Sequence, residues 1–278
     1  MLVTPASNEL GRLLREWRQA RHLTQQQLAE RAEVSVRHLS FLETGRATAS
    51  REMTLVLANA LDLPLRERNL LLEAAGFASV YRETPLADAA MTYVRRALEH
   101  ILSHQEPFPA MVLDRCWNVR QLNRGAEQLF AHFILPRNPP AIVLTNLMHA
   151  LYHPEGLRHV VVNWTILASV VAERLHREAA IDPRIRALRE AVLAYPGIPE
   201  RMQKPRFTQD HPVAQAVCLR APDGFEARFF TTLTTLGSPL DVTTEELQIE
   251  SYFPLDEGTE ALMRSFAKPN VGFTKVRD

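Results

Sequence analysis

The 278-residue sequence has no excess charge of either sign, hardly any cysteine and no long apolar run, and each shortage narrows what it can be. Its 32 acidic side chains balance 32 basic ones, which removes the strongly basic class that coats nucleic acid or anionic membranes through net charge alone. Two cysteines, Cys116 and Cys218, exclude a disulfide scaffold and read as reduced thiols, in keeping with a cytoplasmic chain. The longest apolar stretch, Val160 to Ala172, has 13 residues and carries Asn163, Thr165 and Ser169, whereas a spanning helix needs roughly 20 mostly apolar residues. No membrane partner is expected. The opening residues Met1-Leu2-Val3-Thr4-Pro5 lack the basic segment and apolar run of a secretory signal. Also missing are a phosphate-cradling glycine loop, a Gly-x-Ser-x-Gly elbow and a Cys-x-x-Cys pair. The chain is therefore not read as an enzyme, and neither catalytic residues nor a cofactor are expected. What remains, at 46% hydrophobic and 23% charged residues, is the composition of an ordinary folded protein of one or two domains.

Residues 1–78 read as a compact all-helical module. Leu10, Leu13, Leu14 and Trp17 recur at helical spacing after Ser7 or Asn8. Thr24 can cap a second helix, Ser35 a third that Gly45 stops, and Ser50 a fourth, while Pro64 suits the first turn of a fifth. Residues 79–88 read as a linker. Residues 89–278 mix helices with strands, giving an α+β domain with an antiparallel sheet covered by helices. Pro107 to Asp114 and Trp117 to Leu122 read as a strand and its return, and Asn123 as the cap of the helix that follows. Long helices are expected over Leu157 to Glu178 and Pro183 to Ala194. Strands are expected over Val213 to Arg220, Phe225 to Leu236 and Leu247 to Phe253, the first two joined by a Pro222-Asp223-Gly224 hairpin turn.

The second and third helices, joined by the short turn Ala32-Glu33-Val34, form a helix-turn-helix arrangement that offers helix three to a major groove. The segments Leu23-Thr24-Gln25-Gln26-Gln27-Leu28-Ala29 and Val34-Ser35-Val36-Arg37-His38-Leu39-Ser40-Phe41-Leu42-Glu43-Thr44-Gly45-Arg46, with Gly11 to Arg18 before them, closely resemble the phage-repressor-like (XRE) helix-turn-helix family. The resemblance implies a five-helix, lambda-repressor-like fold. It implies that Gln25 holds a phosphate, and that Val36, Arg37 and Phe41 face bases. Arg37 is the strongest candidate, since a guanidinium matches guanine O6 and N7 with two donors. Ser35, His38, Ser40, Thr44 and Arg46 are expected at the backbone or flanking positions, and Arg18 is expected to pair with Glu43. Eight arginines face five glutamates between Ser7 and Arg51, a local excess of three within the neutral chain. One such module reads only a half-site, so a homodimer on a double-stranded operator is expected.

The strand, tight turn, return strand and Asn123-capped helix are similar to the opening of PAS sensor domains. Trp117-Asn118-Val119, His153-Pro154-Glu155-Gly156-Leu157-Arg158, Asn163-Trp164, Thr234 to Thr243 and Leu247 to Pro254 carry a wider resemblance, from about residue 89 to 266, to the ligand-binding domain of MmyB-like transcription regulators. That resemblance implies a small, largely apolar effector, with fatty-acid-like molecules a candidate class. The wall residues expected of a pocket are Leu113, Leu122, Phe130, Trp164, Phe229 and Phe253, with Arg120 or Arg228 meeting an acidic head group, although period-two patterning does not distinguish a filled core from a cavity. The pairs His100 with His104 and His149 with His153 share helical spacing, but zinc wants a third and usually a fourth ligand, so no metal site is expected. Two other classes stay open: an enzyme with an accessory DNA-binding module, and an interaction adaptor that uses helix three for docking.

Overall fold

In the computed structural model of the chain, residues 5–134, 138–204, 216–237 and 239–267 are described. They fall into two compact units, Met1–Ala90 with Gly237–Glu245, and Met91–Leu236 with Glu246–Asp278.

The first unit contains α1 (Pro5–Ala20), α2 (Gln25–Arg31), α3 (Val36–Glu43), α4 (Arg51–Ala60) and α5 (Leu65–Ala74). The hydroxyls expected to start α2, α3 and α4 do so. Thr24 Oγ1 accepts from Gln27 N while the Gln27 side chain accepts from Thr24 N, and the hydroxyls of Ser35 and Ser50 accept from His38 N and Met53 N. Leu14, Leu28, Leu39, Leu42 and Leu57 are fully enclosed between the helices. Gly11 permits the closest approach of α1 to α3, because a Cβ there would lie 2.7 Å from the carbonyl oxygens of Leu42 and Glu43. The segment expected as a linker is tied down within this unit. Asn69 donates to Tyr81 O and accepts from the amides of Val80 and Tyr81, and Arg66 pairs with Glu83. Gly237–Glu245 belongs here as well: Asp241 accepts from the hydroxyl of Thr84 at 2.6 Å, Arg82 O accepts from Val242 N, and Glu245 caps the start of α5 by accepting from Leu65 N at 2.7 Å.

The second unit carries a five-stranded, wholly antiparallel sheet in the order β2-β1-β5-β4-β3. The strands are β1 (Ala110–Leu113), β2 (Val119–Leu122), β3 (Val217–Arg220), β4 (Glu226–Thr235) and β5 (Gln248–Pro254). Residues 213–215 of the expected β3 lie outside the described residues. The helices are α6 (Thr92–Gln105), α7 (Arg124–Phe133), α8 (Ala141–Thr145), α9 (Leu147–Tyr152), α10 (Trp164–Ala179), α11 (Pro183–Leu193) and α12 (Glu200–Gln203). They are completed by α13 (Val242–Glu246), whose last residue alone falls in this unit, and α14 (Glu257–Ala267).

Two expectations shift. The helix expected from Leu157 begins at Trp164: Leu157–His159 form a short 3-10 helix, and the turn after it is pinned to the edge of the sheet by a Val161–Leu219 bridge, with Val162 N donating to Cys218 O at 2.8 Å and Arg220 N to Val160 O at 2.7 Å. The return strand expected from Trp117 begins two residues later, because the Asp114 carboxylate accepts from Cys116 N and Asn118 N and holds Trp117 in the turn. No helix among the described residues is long and apolar enough to cross a membrane.

Candidate nucleic-acid interface and ligand cavity

α3 is held against its neighbours by one buried carboxylate. Glu43, 4% exposed, receives Arg18 Nε at 2.7 Å and Arg18 Nη2 at 3.0 Å on its two oxygens, and Gln25 Nε2 at 2.9 Å on the second of them. Arg15 reaches the Glu43 carbonyl at 2.9 Å, and Arg18 also donates to Leu23 O. The hydrogen bonds to Glu43 hold the Arg18 guanidinium above its ordinary pKa. The Arg18–Glu43 pair implied by the resemblance is thus present. The amide of Gln25, expected on a phosphate, here braces the start of α2 against the end of α3.

The outer side of α3 is of different character. Val36 and Arg37 are exposed, and the Arg37 guanidinium lies 5.3 Å from the centre of the half-buried Phe41 ring, a cation–π contact on the helix surface. Ser35 is spent on its cap, and Thr44 on a bond from its hydroxyl to Ser40 O at 2.7 Å. Arg46 is exposed just beyond the helix, after Gly45 in the left-handed conformation. Val36 and Arg37 thus open α3, Phe41 lies about one turn later, and Thr44 and Arg46 follow its end, with His38 and Ser40 half-buried.

In the second unit a cavity of about 330 Å³ lies between the sheet, α9 and α10. The sheet supplies Val217 and Phe230 together with Thr231, Leu233, Glu250 and Tyr252; of the last four, Thr231 is paired across the ladder with Tyr252 and Leu233 with Glu250, so these point to one face. α9 supplies Leu147, Met148 and Leu151, placed by Asn146, whose side chain caps the helix and donates to Cys116 O and Asn118 Oδ1. α10 supplies Leu167, Val170, Val171, Arg174 and Arg177 from successive turns of one face. Trp164 Nε1 to Leu151 O at 2.8 Å and the Tyr152 hydroxyl to Ala168 O at 2.6 Å lock α9 to α10.

Trp117 closes the floor at φ 63°, a left-handed conformation that a bulky side chain seldom adopts. The bonds of Asp114 around it overcome that strain, which is the kind of constraint found where a side chain must be aimed. The Arg174 guanidinium lies 4.6 Å over the Trp117 ring and bonds to Glu178 at 2.8 Å. Glu250 is 8% exposed, and burial pushes its carboxyl up to about 7, opposed by a hydrogen bond from Tyr252 and by the charge of Arg174. Burial likewise raises Tyr252 well above its ordinary range. Among the described residues, Glu250 Oε2 and Trp117 Nε1 are buried with no hydrogen-bond partner.

None of the eight residues expected to form the pocket is among those lining this cavity. Leu113, Phe130, Trp164 and Phe229 are packed in the filled core beside it, and Leu122 packs against that core. Phe253 is exposed and stands in the ladder opposite Phe230, which itself contributes to the lining. Arg120 pairs with Asp114 at 2.7 Å and Arg228 with Glu226 at 3.2 Å, both exposed at the surface away from this cavity's lining. Strand alternation identified inward residues but not where the interior is empty. The cations lining the cavity are Arg174 and Arg177, on a helix whose apolar face reads as core. Of the histidine pairs, His104 bonds its own helix at His100 O and His149 bonds the Tyr195 hydroxyl; among the described residues no three metal-ligating side chains gather.

The helix-turn-helix domain family matches residues 9–71, and the family of the MmyB-like transcription regulator ligand binding domain matches residues 94–265. No curated protein matches the chain. Among solved structures, it is 34% identical to the restriction-modification controller protein C.AhdI from Aeromonas hydrophila, over 22% of this chain and 94% of that one, with a TM-score of 0.22. It is 36% identical to the clp gene regulator ClgR from Corynebacterium glutamicum, over 26% of this chain and 92% of that one, with a TM-score of 0.23.

Proposed function

We propose, from the premise that this chain belongs to the MmyB-like transcription regulators, that it is a one-component regulator: a homodimer that reads a two-fold symmetric operator with α3 and changes operator affinity when a small effector fills the cavity. DNA binding through the helix-turn-helix and ligand binding through the second domain follow from the family. The dimer, the residue roles and the coupling are our reading. On α3, Arg37 reads a base edge, Val36 and Phe41 make apolar base contacts, and Arg46 meets a phosphate, with His38, Ser40 and Thr44 flanking. We read the second domain as PAS-like because β1, a tight turn, β2 and the Asn123-capped α7 follow one another as in that fold's opening. The effector is largely apolar, as the lining from α9 and α10 requires, and of a size that admits fatty-acid-like molecules. We place the protein in the cytoplasm and read the cavity as a sensor rather than a catalytic site.

The observation that carries the coupling is covalent. β4 and β5 both line the cavity, and the segment joining them, Gly237–Glu245, belongs to the DNA-binding unit, fastened there by Asp241 and Glu245. A ligand that spreads or tightens β4 against β5 therefore acts on a strap built into the helical unit. The test is selection of a duplex from a random pool by the full-length protein, followed by anisotropy titration of that duplex with and without saturating decanol or decanoate. We expect a change in operator affinity of about 5–150-fold and a protein-to-duplex ratio of two to one. Equal affinity with the cavity filled and empty would refute the coupling, a monomer on the duplex the dimer, and turnover of the added compound the sensor reading.

A further inference from the structure

Arg174, Glu178, Arg115, Asp182, Arg184 and Glu246 form a run of alternating charge within the second unit, from the cavity to the end of the strap. Arg174, which lines the cavity, donates from Nε to Glu178 Oε1 at 2.8 Å. Glu178 Oε2 lies 3.5 Å from Arg115, in the turn between β1 and β2, and Arg115 lies 3.8 Å from Asp182, the cap of α11. Asp182 Oδ2 accepts from Arg184 Nη2 at 2.8 Å, and the same nitrogen donates to Glu246 Oε1 at 2.8 Å. Glu246 ends α13, and the residue before it, Glu245, caps α5 in the helical unit.

Two properties separate this run from scattered surface pairs. Its carboxylates are mostly buried, with Glu178, Asp182 and Glu246 at 16%, 6% and 15% exposure, so water and salt screen them less than exposed pairs of small net worth. Its inner members are also shared. Glu178 divides its two oxygens between Arg174 and Arg115, and Asp182 Oδ2 serves both Arg115 and Arg184. A shared group that strengthens one pair alters the other, which is how neighbouring interactions become coupled. Burial opposes the charge of Arg184, yet its hydrogen bonds to Glu246 and Asp182 hold the guanidinium above its ordinary pKa. The loose step is Arg115: its two pairs are the longest of the run, and Glu178 Oε2 is buried with no hydrogen-bond partner among the described residues.

We infer that this run carries the state of the cavity to the strap, and that Arg115 is the positioning residue through which the signal passes. This rests on the reading of the cavity as an effector site coupled to DNA binding, and assigns the residues of that coupling. An effector that fills the cavity takes water from one side of Arg174, whose side chain is 31% exposed, and an ion pair out of water is stronger. Glu178 then turns toward Arg174 and releases Arg115 to Asp182, and the adjustment reaches Glu246 through Arg184. Because Glu245 and Glu246 are consecutive residues of α13, a shift of the second moves the carboxylate that caps α5.

The test is Arg115→Gln in the full-length protein, because Arg115 is not among the residues lining the cavity and its loss cuts the run between the two ends. Isothermal titration with decanol and decanoate gives ligand affinity, and anisotropy titration of the selected duplex with and without the compound that binds gives the coupling. Arg115→Gln is expected to keep ligand affinity, and the DNA affinity of the empty protein, within about twofold of the parent, while the ligand's effect on DNA affinity falls from about 5–150-fold to under about twofold. Arg115→Lys, which keeps a cation between the two carboxylates, is expected to retain a ligand effect within about threefold of the parent's. Exchange of the Leu65 amide proton, read by NMR, is expected to respond to ligand in the parent and in Arg115→Lys, and not in Arg115→Gln. Glu178→Gln, of equal size and also outside the lining, is expected to show the same loss and keeps the test open if Arg115→Gln does not fold. A full ligand effect in Arg115→Gln overturns the inference and leaves the cavity coupled to DNA by another route. A loss that Arg115→Lys shares, or that comes with weakened ligand binding, gives Arg115 a structural role and overturns it too. Failure of both compounds to bind, or equal DNA affinity of the filled and empty parent, overturns the effector reading on which the inference rests.

Discussion

Glu43 in the helical unit and Glu250 in the sheet unit are buried to nearly the same degree, at 4% and 8% exposure, yet their surroundings treat them in opposite ways. Glu43, on α3, has a guanidinium from α1 and an amide from α2 on its oxygens. Glu250 has one oxygen with no partner among the described residues, and burial pushes its carboxyl up to about 7 against the opposing effects of Tyr252 and Arg174. A charge satisfied in place holds a scaffold, and here it sets the angle at which α3 is presented. A polar group left open inside a cavity is costly to the fold alone, and such a cost is characteristic of sites that wait for a ligand.

The comparison breaks most visibly at Glu43. Glu43→Ala leaves Arg18, whose side chain is 12% exposed, as a nearly buried charge without its partner, and should lower the stability of α1 to α3 by about 3–5 kcal/mol, read by native-state hydrogen exchange. A loss under about 1 kcal/mol would mean that the network is ornamental.

Glu250 should behave differently, through pH. Its folded carboxyl titrates at about 7, above its ordinary 4.5, so the folded state holds the proton that the unfolded state releases first. Stability contributed at this position is therefore complete below the ordinary carboxylate range and lost as pH rises through about 7, amounting to ~3 kcal/mol. Hydrogen exchange in β4 and β5 at pH 5 and pH 8 should show this loss in the parent and not in Glu250→Gln. Parallel profiles would place the pH dependence elsewhere.

A third effect belongs to the outer face of α3. Arg37→Ala should cost about 1–3 kcal/mol of operator affinity and relax selectivity at one base position, whereas Arg46→Ala should weaken all duplexes alike and reduce the salt slope by about one. Quantitative footprinting on single-base operator variants separates the two. The smallest effect is expected at the strap: Asp241→Ala should leave ligand binding and the affinity of the empty protein for DNA nearly unchanged while removing about 1 kcal/mol of coupling, measured by duplex titration with the cavity filled and empty. Full coupling in that variant would mean the signal does not pass through Asp241.

The helical unit was legible because its signals are local. Thr24, Ser35 and Ser50 precede their helices by one residue, Gly45 follows α3, and the reciprocal bonds of Thr24 and Gln27 span three positions. Asn123 in the second unit was legible for the same reason. The cavity was not legible, since its lining joins Trp117, α9, α10, β4 and β5 across more than 130 positions of chain. Arg174 illustrates the difficulty: in sequence it is one arginine on a long helix, and only packing sets it over Trp117.

By itself, the amino-acid order determined which segments become helices and strands, where the capped helices of the first unit start, and which side of α3 meets solvent, because capping and hydrophobic period act over a few residues. Only the tertiary structure decided which inward side chains meet one another and which face empty space, that Gln25 turns to Glu43, and that the β4–β5 connection belongs with the helices. Those outcomes depend on contacts between residues far apart in the chain, and period and spacing carry no information about which distant surface an inward side chain will find.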